Sequence, residues 1–276
     1  MIRQLALSAV AVLALCACSS RQPPPTSSSA ASQATAASAS ASANNTAAQP
    51  GTSNGASSAS IRSAADSPLA LPASSQWQPG VNYDVVSPAQ PTNAPPGKVQ
   101  VMEVFWLACP HCYALEPYIR AWRKTLPSYV QFVRVPVMWG PVQRAHARLY
   151  YTFEALGRRD MIDKTFRYIH GLEAQRGTES ILVGSSKANT LRIQQAYAAS
   201  NGIAPSAFAS AYNSFDVNTR LQQAEEINQI YEIESVPTII VDGRYRTNPE
   251  KAGGENHLIE LINFLTKWDH DHQSEG

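Results

Sequence analysis

Two cysteines separated by two residues lie in the stretch FWLACPHCYALEP, residues 105–117. Cys109 and Cys112 enclose a proline and a histidine, at the point where an apolar strand-like run gives way to a helical pattern. A pair at this spacing can form a structural disulfide, contribute half of a metal site, or store a pair of electrons reversibly. The chain contains four cysteines in all, and the other two are near its N-terminus.

Two of these three interpretations have little support in the sequence. A disulfide across two residues removes little loop entropy from the unfolded chain, about 2 kcal/mol or less. A zinc site needs about four ligands, but the other cysteines are near the N-terminus and no histidine pair has zinc-finger spacing. Covalent haem would need a histidine directly after the second cysteine, where Tyr113 stands. An electron-pair store is therefore favoured, with an inert bond or an unusual metal site as alternatives.

The position of the pair predicts different roles for its two sulfurs. A cysteine at the start of a helix faces unsatisfied backbone N–H groups and the positive end of the helix dipole, which favour the thiolate. We predict that Cys109, which has this position, exchanges with partners, whereas Cys112, one turn further in, closes the internal disulfide. His111 adds a donor or a positive charge near the same sulfur. One helix end stabilises a thiolate by at most about 2 kcal/mol, which is too little to make the disulfide a strong oxidant. Other donors must therefore help to stabilise the thiolate.

The pair requires a strand before it and a helix after it. Residues 98–106, KVQVMEVFW, become nearly all apolar, as in a central strand that is covered on both faces. The stretch after the strand has helical spacing, with Pro110 acceptable in the first turn and Pro117 expected to bend the helix. Residues 81–86 and 130–137 are further strand candidates.

The rest of the chain completes the sheet after a helical interruption. Residues 142–215 contain no convincing strand and place apolar residues at helical spacing. A further helix leads to residues 239–247, where two short strands flank Asp242 and Gly243 and predict a hairpin. A final helix carries apolar residues up to Trp268. This order predicts an α/β sheet whose second half is delayed by a helical insertion.

Two motifs resemble one bacterial family. The motif CPHCY at residues 109–113, preceded by Glu103 in an apolar strand and followed by Glu116, resembles the DsbA family of thiol:disulfide oxidoreductases. Residues 236–238, Val-Pro-Thr, resemble the loop that carries a cis proline beside the active cysteines in thioredoxin-like proteins. The resemblance covers roughly residues 83–268. It implies an α/β, thioredoxin-like fold, with a central mixed β-sheet flanked by helices and an inserted all-helical domain.

The resemblance also implies roles for individual residues. Members of that family have an acidic nucleophilic cysteine and an oxidising disulfide, and the resemblance implies the same for this chain. It makes Glu103 a buried carboxylate that helps to move a proton for Cys112, and a carboxylate satisfied by a nearby cation is the alternative. Glu116 also matches the family pattern, but a position on a solvated helix face explains a glutamate there equally well. The catalytic candidates are Cys109, Cys112, His111, Pro110 and Glu103, and the substrate-binding candidates are the backbone of Val236 and a cis Pro237.

The resemblance implies a disulfide oxidase that acts on reduced exported proteins and is reoxidised by a membrane partner of the DsbB type. We expect the redox-active disulfide to serve without a further cofactor or metal. A reductase or isomerase, and a peptide-binding chaperone without redox turnover, stay open as alternatives. The net charge of +1 gives no basic footprint for nucleic acid, and we expect a monomer. The other histidines, interpreted as structural or surface residues, are His146, His170, His257, His270 and His272.

The N-terminus predicts export and a lipid anchor. One arginine precedes an apolar run over residues 5–15, which is too short to span a bilayer and is typical of a secretory signal. Residues 15–18, LCAC, resemble the end of a lipoprotein signal, which implies cleavage before Cys18 and a lipid on its thiol. A plain secretory signal is the alternative. We therefore expect a periplasmic, membrane-anchored lipoprotein, held in either the inner or the outer membrane.

Composition divides the rest of the chain into segments. Residues 19–76 consist mainly of Ser, Ala, Thr, Asn, Gln and Pro, which predicts disorder. A tether of this length places the folded domain on the order of 40 Å from its anchor. The predicted segments are a signal peptide ending at lipidated Cys18 (1–18), the tether (19–76), a first thioredoxin-like part with CPHC (77–140), the helical insertion (141–216), a second thioredoxin-like part with the cis-proline loop (217–268) and a disordered tail (269–276).

Overall fold

The structure, a computed structural model, describes residues 71–272 and contains one mixed β-sheet surrounded by helices. The order of the five strands in the sheet is β1-β5-β4-β2-β3. The strands are β1 (Asp84–Val85), β2 (Val99–Phe105), β3 (Val130–Pro136), β4 (Thr238–Val241) and β5 (Tyr245–Thr247). The helices are α1 (Pro110–Trp122), α2 (Pro141–Ala155), α3 (Asp160–Arg176), α4 (Lys187–Ser200), α5 (Pro205–Tyr212), α6 (Phe215–Ile230), α7 (Pro249–Ala252) and α8 (Glu255–His272).

Strand β2 is the centre of the sheet. All seven of its residues are buried, as expected for a strand covered on both faces. It pairs in parallel with β3 and in antiparallel orientation with β4. Successive side chains alternate between two hydrophobic clusters: Val101 packs with residues of α1 and α8, and Met102 packs with residues of the helical segment. The predicted central strand is confirmed.

Five helices, α2 to α6, lie between β3 and β4 in the chain. Their apolar faces meet around Phe153, Phe166 and Phe208, which are fully buried. After these helices the chain returns to the sheet, where Thr238 pairs with Val104. This register sets the residues just before β4 beside the C-terminal end of β2, from which the cysteine pair follows. The predicted α/β fold with a helical insertion is therefore confirmed.

The folded part extends further at both ends than the sequence predicts. Residues 71–76 were assigned to the tether, yet the Tyr83 hydroxyl donates a hydrogen bond to the carbonyl of Pro72. Helix α8 includes residues 269–272, which were assigned to a disordered tail, and Asp269 is buried. Both boundaries are corrected. The contacts of these residues, which include the stacking of His270 on Tyr129, join distant parts of the chain, and a composition argument does not detect them.

Smaller differences concern single elements. The strand candidate at residues 81–86 is reduced to the two residues of β1. Helix α7 was not predicted, and it begins at an Asn248 cap, whose side chain accepts a hydrogen bond from the backbone N–H of Lys251 at 2.8 Å. Helix α6 begins at Phe215, so the boundary placed at residue 216 falls within its first turn.

The predicted signal peptide, its lipidated Cys18 and the tether as far as residue 70 lie outside the described residues, as do residues 273–276. Between residues 71 and 272, no helix combines the length and the apolar character that crossing a bilayer requires.

Candidate active site

The cysteine pair lies at the N-terminus of α1, and three residues separate Cys109 from the end of β2. Cys109 is the residue that caps the helix, and its sulfur accepts a hydrogen bond from the backbone N–H of Cys112 at 3.3 Å. Pro110 occupies the first turn, where its missing N–H costs nothing. The backbone N–H of Cys109 donates to the carbonyl of Trp106 at 3.0 Å and closes the turn between strand and helix.

The two sulfurs differ in access and in acidity. Both cysteines are free thiols in the structure; Cys109 is 6% exposed, and Cys112 is 0% exposed. Hydrogen bonding to Cys112 lowers the pKa of the Cys109 thiol to about 7, with the backbone N–H groups of Cys112 and His111 acting in the same direction against burial. Burial raises the pKa of Cys112 well above that of an ordinary thiol. Cys109 is therefore the more nucleophilic and the more accessible sulfur at neutral pH.

The predicted cis-proline loop faces this sulfur. The Val236–Pro237 peptide bond is cis, and the thiol of Cys109 lies 3.4 Å from the carbonyl oxygen of Val236, which accepts its hydrogen bond. The two residues are 127 positions apart in the sequence, and the pairing of β4 with β2 brings them together. Val236 is half-buried and the preceding Ser235 is exposed, so the loop on this side of the sulfur lies at the protein surface.

A buried group of three charged side chains lies behind the cysteines. Arg134 of β3 stands opposite Glu103 of β2, and its Nε donates to a Glu103 carboxylate oxygen at 2.7 Å. A guanidinium nitrogen of Arg134 donates to Glu116 of α1. Glu103 raises the pKa of both cysteine thiols through its negative charge, which places the carboxylate within electrostatic reach of the pair. Arg134 is thus the nearby cation that the alternative explanation of Glu103 requires.

Glu116 is not on a solvated helix face, so that interpretation is wrong. Its side chain is buried against Arg134, because α1 packs this face onto the sheet. Burial raises the pKa of Glu116 to about 8, while Arg134 acts to lower it and Glu103 to raise it. Arg134 is not among the residues predicted from the sequence. A single arginine within the apolar run VQFVRVPV was the available signal, since a buried cation needs buried anions.

Two surfaces border the reactive sulfur. On one side, an open cleft of about 780 Å³ is lined by Pro110, His170, Glu173 and Glu179, among others. On the other side, Trp139 is 45% exposed and its indole N–H donates to the carbonyl of Ile233 at 2.8 Å, which fixes the ring beside the cis-proline loop.

Two further site predictions concern the side chain of His111 and the absence of a metal site. The side chain of His111 is exposed, and the group that bears on Cys109 is its backbone N–H. Within residues 71–272, no cluster of three or more His, Cys, Asp or Glu side chains is arranged to hold a metal ion. The structure thus brings together Cys109, Cys112, Pro110, His111, Glu103, Val236 and Pro237.

Comparison with known proteins identifies relatives along most of the described chain. No protein-family profile matches the sequence. The thiol:disulfide interchange protein DsbA of Pseudomonas aeruginosa is 32% identical over 187 residues, which are 67% of this chain and 82% of that protein. The protein of the same name from Burkholderia cepacia is 34% identical over 189 residues, 68% of this chain and 84% of that one.

Comparison with solved structures identifies the same family of proteins. The crystal structure of Pseudomonas aeruginosa DsbA matches with a TM-score of 0.64 at 30% identity, over 72% of this chain and 97% of that chain. The thioredoxin-like fold with its inserted helices is therefore shared over nearly the whole of that structure. Given these matches, the chain belongs to the DsbA family of thiol:disulfide interchange proteins and is a thiol:disulfide oxidoreductase.

Proposed function

We propose that Cys109 and Cys112 are the pair through which this thiol:disulfide interchange protein introduces disulfide bonds into exported proteins. The observation that carries the proposal is the position of the Cys109 sulfur. It caps a helix, belongs to a thiol whose pKa is lowered to about 7, and faces the carbonyl of the half-buried Val236. A sulfur of this kind is a good leaving group at neutral pH, which favours the transfer of a disulfide to a partner.

The reaction proceeds in two exchanges. A substrate thiolate attacks Sγ of Cys109 in the oxidised protein; a mixed disulfide forms, the Cys109–Cys112 bond breaks, and Cys112 leaves as a thiolate. A second substrate thiolate then attacks the substrate sulfur of the mixed disulfide and expels Cys109. The substrate loses two electrons and gains a disulfide, while the protein becomes a dithiol. A membrane partner of the DsbB type accepts these two electrons and restores the Cys109–Cys112 bond.

The departing Cys112 thiolate takes up a proton, because burial makes it the stronger base of the two sulfurs. We assign the supply of this proton to the buried carboxyl groups behind the pair. Glu116, with a pKa of about 8, is partly protonated at neutral pH. Glu103 is hydrogen-bonded to Arg134, and its charge also acts on the Cys112 thiol. Glu103 thus keeps the role that the family resemblance implied, with Arg134 as its fixed counter-charge.

The substrate chain lies in extended form beside the cis-proline loop in this proposal. The exposure of Glu234 and Ser235 beside the half-buried Val236 supports it, since an extended segment at the protein surface can pair with an added strand. The exposed ring of Trp139 provides an apolar wall for substrate side chains beside that strand. No external cofactor enters the reaction, because the redox-active disulfide carries both electrons.

We further propose that the protein works as a periplasmic, lipid-anchored monomer. The apolar run at residues 5–15 and the LCAC sequence at residues 15–18 support export and acylation of Cys18. In this arrangement the polar segment from residue 19 to residue 70 tethers the folded domain to the membrane. The helical insertion and the two thioredoxin-like parts form the working domain above it.

The proposal is tested with the purified protein and a reduced peptide that contains two cysteines. The oxidised wild-type protein is expected to convert one equivalent of peptide to its disulfide. Cys109→Ser is expected to abolish transfer. Cys112→Ser, supplied with the same peptide in its disulfide form, is expected to form a mixed disulfide: the Cys109 thiolate attacks and breaks the peptide disulfide, one peptide thiolate is released, and the protein has no second thiol to resolve the product. Persistence of the protein's effect on client folding in Cys109→Ser would instead identify a peptide-binding chaperone.

The direction of transfer is tested separately by equilibrium with glutathione. An oxidase requires a reduction potential more oxidising than about −200 mV. A value near that of a reducing dithiol carrier, about −270 mV, would contradict the oxidase direction and identify a reductase.

A further inference from the structure

Trp106 connects the end of β2 to both cysteines. Its carbonyl accepts the backbone N–H of Cys109 at 3.0 Å, and a backbone hydrogen bond from Trp106 reaches the sulfur of Cys112. The peptide groups of one residue therefore contact the redox pair at two points. A displacement of the Trp106 backbone therefore changes the turn from which the Cys109 sulfur projects.

A buried histidine fixes the side chain of this tryptophan. The indole Nε1–H of Trp106 donates to Nδ1 of His146 at 2.9 Å. His146 is on α2 and is only 1% exposed. Its other ring nitrogen, Nε2, lies 2.7 Å from the carbonyl oxygen of Ile181, in the segment between α3 and α4.

The two hydrogen bonds assign a single protonation state to His146. Because an indole N–H can only donate, Nδ1 must be the unprotonated nitrogen, and Nε2 carries the proton that it donates to Ile181. Burial lowers the pKa of His146 to about 4, so the ring stays neutral at physiological pH. The imidazole thus joins the helical insertion to the redox turn with both of its nitrogens used.

We infer that His146 is a positioning residue that sets the redox equilibrium of the Cys109–Cys112 pair by holding Trp106 in place. This inference rests on the proposed function, since it assumes that the pair exchanges disulfides. It gives the helical insertion a part in the chemistry, although none of its side chains touches the substrate sulfur in the proposed reaction.

The inference differs from an ordinary core role in a measurable way. A hydrogen bond that only stabilises the fold contributes equally to the oxidised and reduced forms, and its loss leaves their ratio unchanged. Trp106, however, supplies backbone hydrogen bonds to the cysteines in the dithiol form. Its displacement is expected to destabilise the dithiol form more than the disulfide form, because the turn that its carbonyl closes holds the Cys109 sulfur against the backbone N–H groups of Cys112 and His111, and a thiolate needs these donors more than a disulfide does.

Three substitutions at one position separate the two hydrogen bonds. In His146→Asn the side-chain oxygen replaces Nδ1 as the acceptor for Trp106, and in His146→Gln the side-chain NH2 replaces Nε2 as the donor to Ile181. His146→Phe removes both bonds at similar volume. Trp106→Phe removes the same bond from the other side. The equilibrium constant with glutathione and the pH profile of Cys109 alkylation are measured for the full-length protein and each variant.

The inference predicts that His146→Gln and His146→Phe make the protein less oxidising by about 5-fold in the equilibrium constant with glutathione, the effect of one net hydrogen bond. His146→Asn is expected to remain within a factor of about 2 of the wild type. Trp106→Phe should reproduce the shift, and adding His146→Gln to it should change nothing further. The alkylation profile should move to higher pH in the same variants.

Two results would overturn the inference. Equal equilibrium constants in wild type, His146→Gln and His146→Phe, with lower unfolding temperatures in both redox forms, would assign His146 to the core alone. Additive shifts in the Trp106→Phe/His146→Gln double variant would show that the two residues act separately. Failure of the proposed function is a different outcome, in which the wild-type protein itself transfers no disulfide to the peptide.

Discussion

Cys109 and Cys112 carry the same thiol group in opposite environments. Cys109 accepts hydrogen bonds at the end of a helix, and these lower the pKa of its thiol. Cys112 is fully enclosed, and burial raises the pKa of its thiol. The sequence predicted this direction from the position of α1 alone. It also predicted that one helix end needs further donors, and the donors found are the side chain and backbone of Cys112 and the backbone of His111.

At the same scale, Arg134 balances two buried carboxylates. Arg134→Met is expected to reduce the free energy of unfolding by about 3–5 kcal/mol at neutral pH, because it leaves Glu103 and Glu116 close together without a cation. Without Arg134, which acts to lower it, the pKa of Glu116 rises further in the folded state, so stability is lost as pH rises and is partly regained in acid. Urea unfolding at about pH 5 and about pH 8 measures both effects.

Arg220→Met is the matched control for this prediction, since Arg220 pairs with Asp216 at an exposed site on α6. It should cost no more than about 1 kcal/mol. Equal losses for the two variants would mean that the buried group of charges has no special importance for the fold.

Among the elements, the hairpin of β4 and β5 determines where the cis-proline loop lies. Its turn residues, Asp242 and Gly243, both have positive φ, at 46° and 66°. Beyond the turn, the backbone N–H of Gln90 donates to the Gly243 carbonyl at 3.0 Å, so the loop before β2 packs directly on the hairpin. The sequence indicated the turn through its Asp-Gly pair, but a contact across more than 150 positions leaves no local pattern.

Gly243→Ala is expected to destabilise the protein by more than about 3 kcal/mol, from left-handed backbone strain combined with a steric clash. A Cβ at this position would collide with the backbone carbonyl of Gln90. Gly202 also has a positive φ but has nothing within 4 Å of its Cβ position. Gly202→Ala should therefore cost only about 1 kcal/mol, which isolates the clash. Similar unfolding free energies for the two variants would contradict the close packing at Gly243.

The last turn of α8 contacts the same hairpin through a buried carboxyl group. Burial, followed by hydrogen bonding to Asp242, raises the pKa of Asp269 to about 7. The folded state therefore holds a proton that the unfolded state has released, and stability is lost as pH rises from about 4 to about 7. Asp269→Asn is expected to remove this part of the pH dependence and to raise the melting temperature relative to wild type at about pH 8.

Asp271→Asn provides the control on the same helix. Asp271 is exposed and pairs with Lys267, which lowers the pKa of its carboxyl group. Its substitution should leave the loss of stability between about pH 4 and about pH 7 unchanged. The idea fails if thermal melts of Asp269→Asn keep the wild-type dependence on pH.

On the scale of the whole molecule, the predicted leader and tether decide where the chemistry takes place. Cys18→Ser is expected to move the protein from the membrane fraction to the soluble periplasmic fraction, because no acyl chain can then be attached. Membrane fractionation with a high-salt wash, followed by detection of the protein, measures this. Retention of Cys18→Ser in the washed membranes would exclude the lipid anchor, and Cys16→Ser is the matched control that should leave wild-type anchoring intact.

The sequence predicted the order of strands and helices because apolar periodicity and Gly and Pro punctuation are local signals. It predicted the encounter of Cys109 with Val236 and Pro237 through two motifs of one family. It did not predict the Arg134 ion pairs or the contact of Trp106 with His146. These contacts join elements that are distant in the chain and depend on sheet register and helix packing, which one sequence does not specify.

The reactive sulfur and the carbonyl opposite it are 127 residues apart in the chain. A ribosome, which adds about 5–20 residues per second, therefore makes the CPHC turn on the order of ten seconds before the loop that faces it. During that interval a nascent copy has the Cys109 and Cys112 thiols but not the loop that faces them. Each new molecule thus passes through a stage in which it is itself a reduced polypeptide in need of an oxidant, and finished copies are equipped to supply its first disulfide.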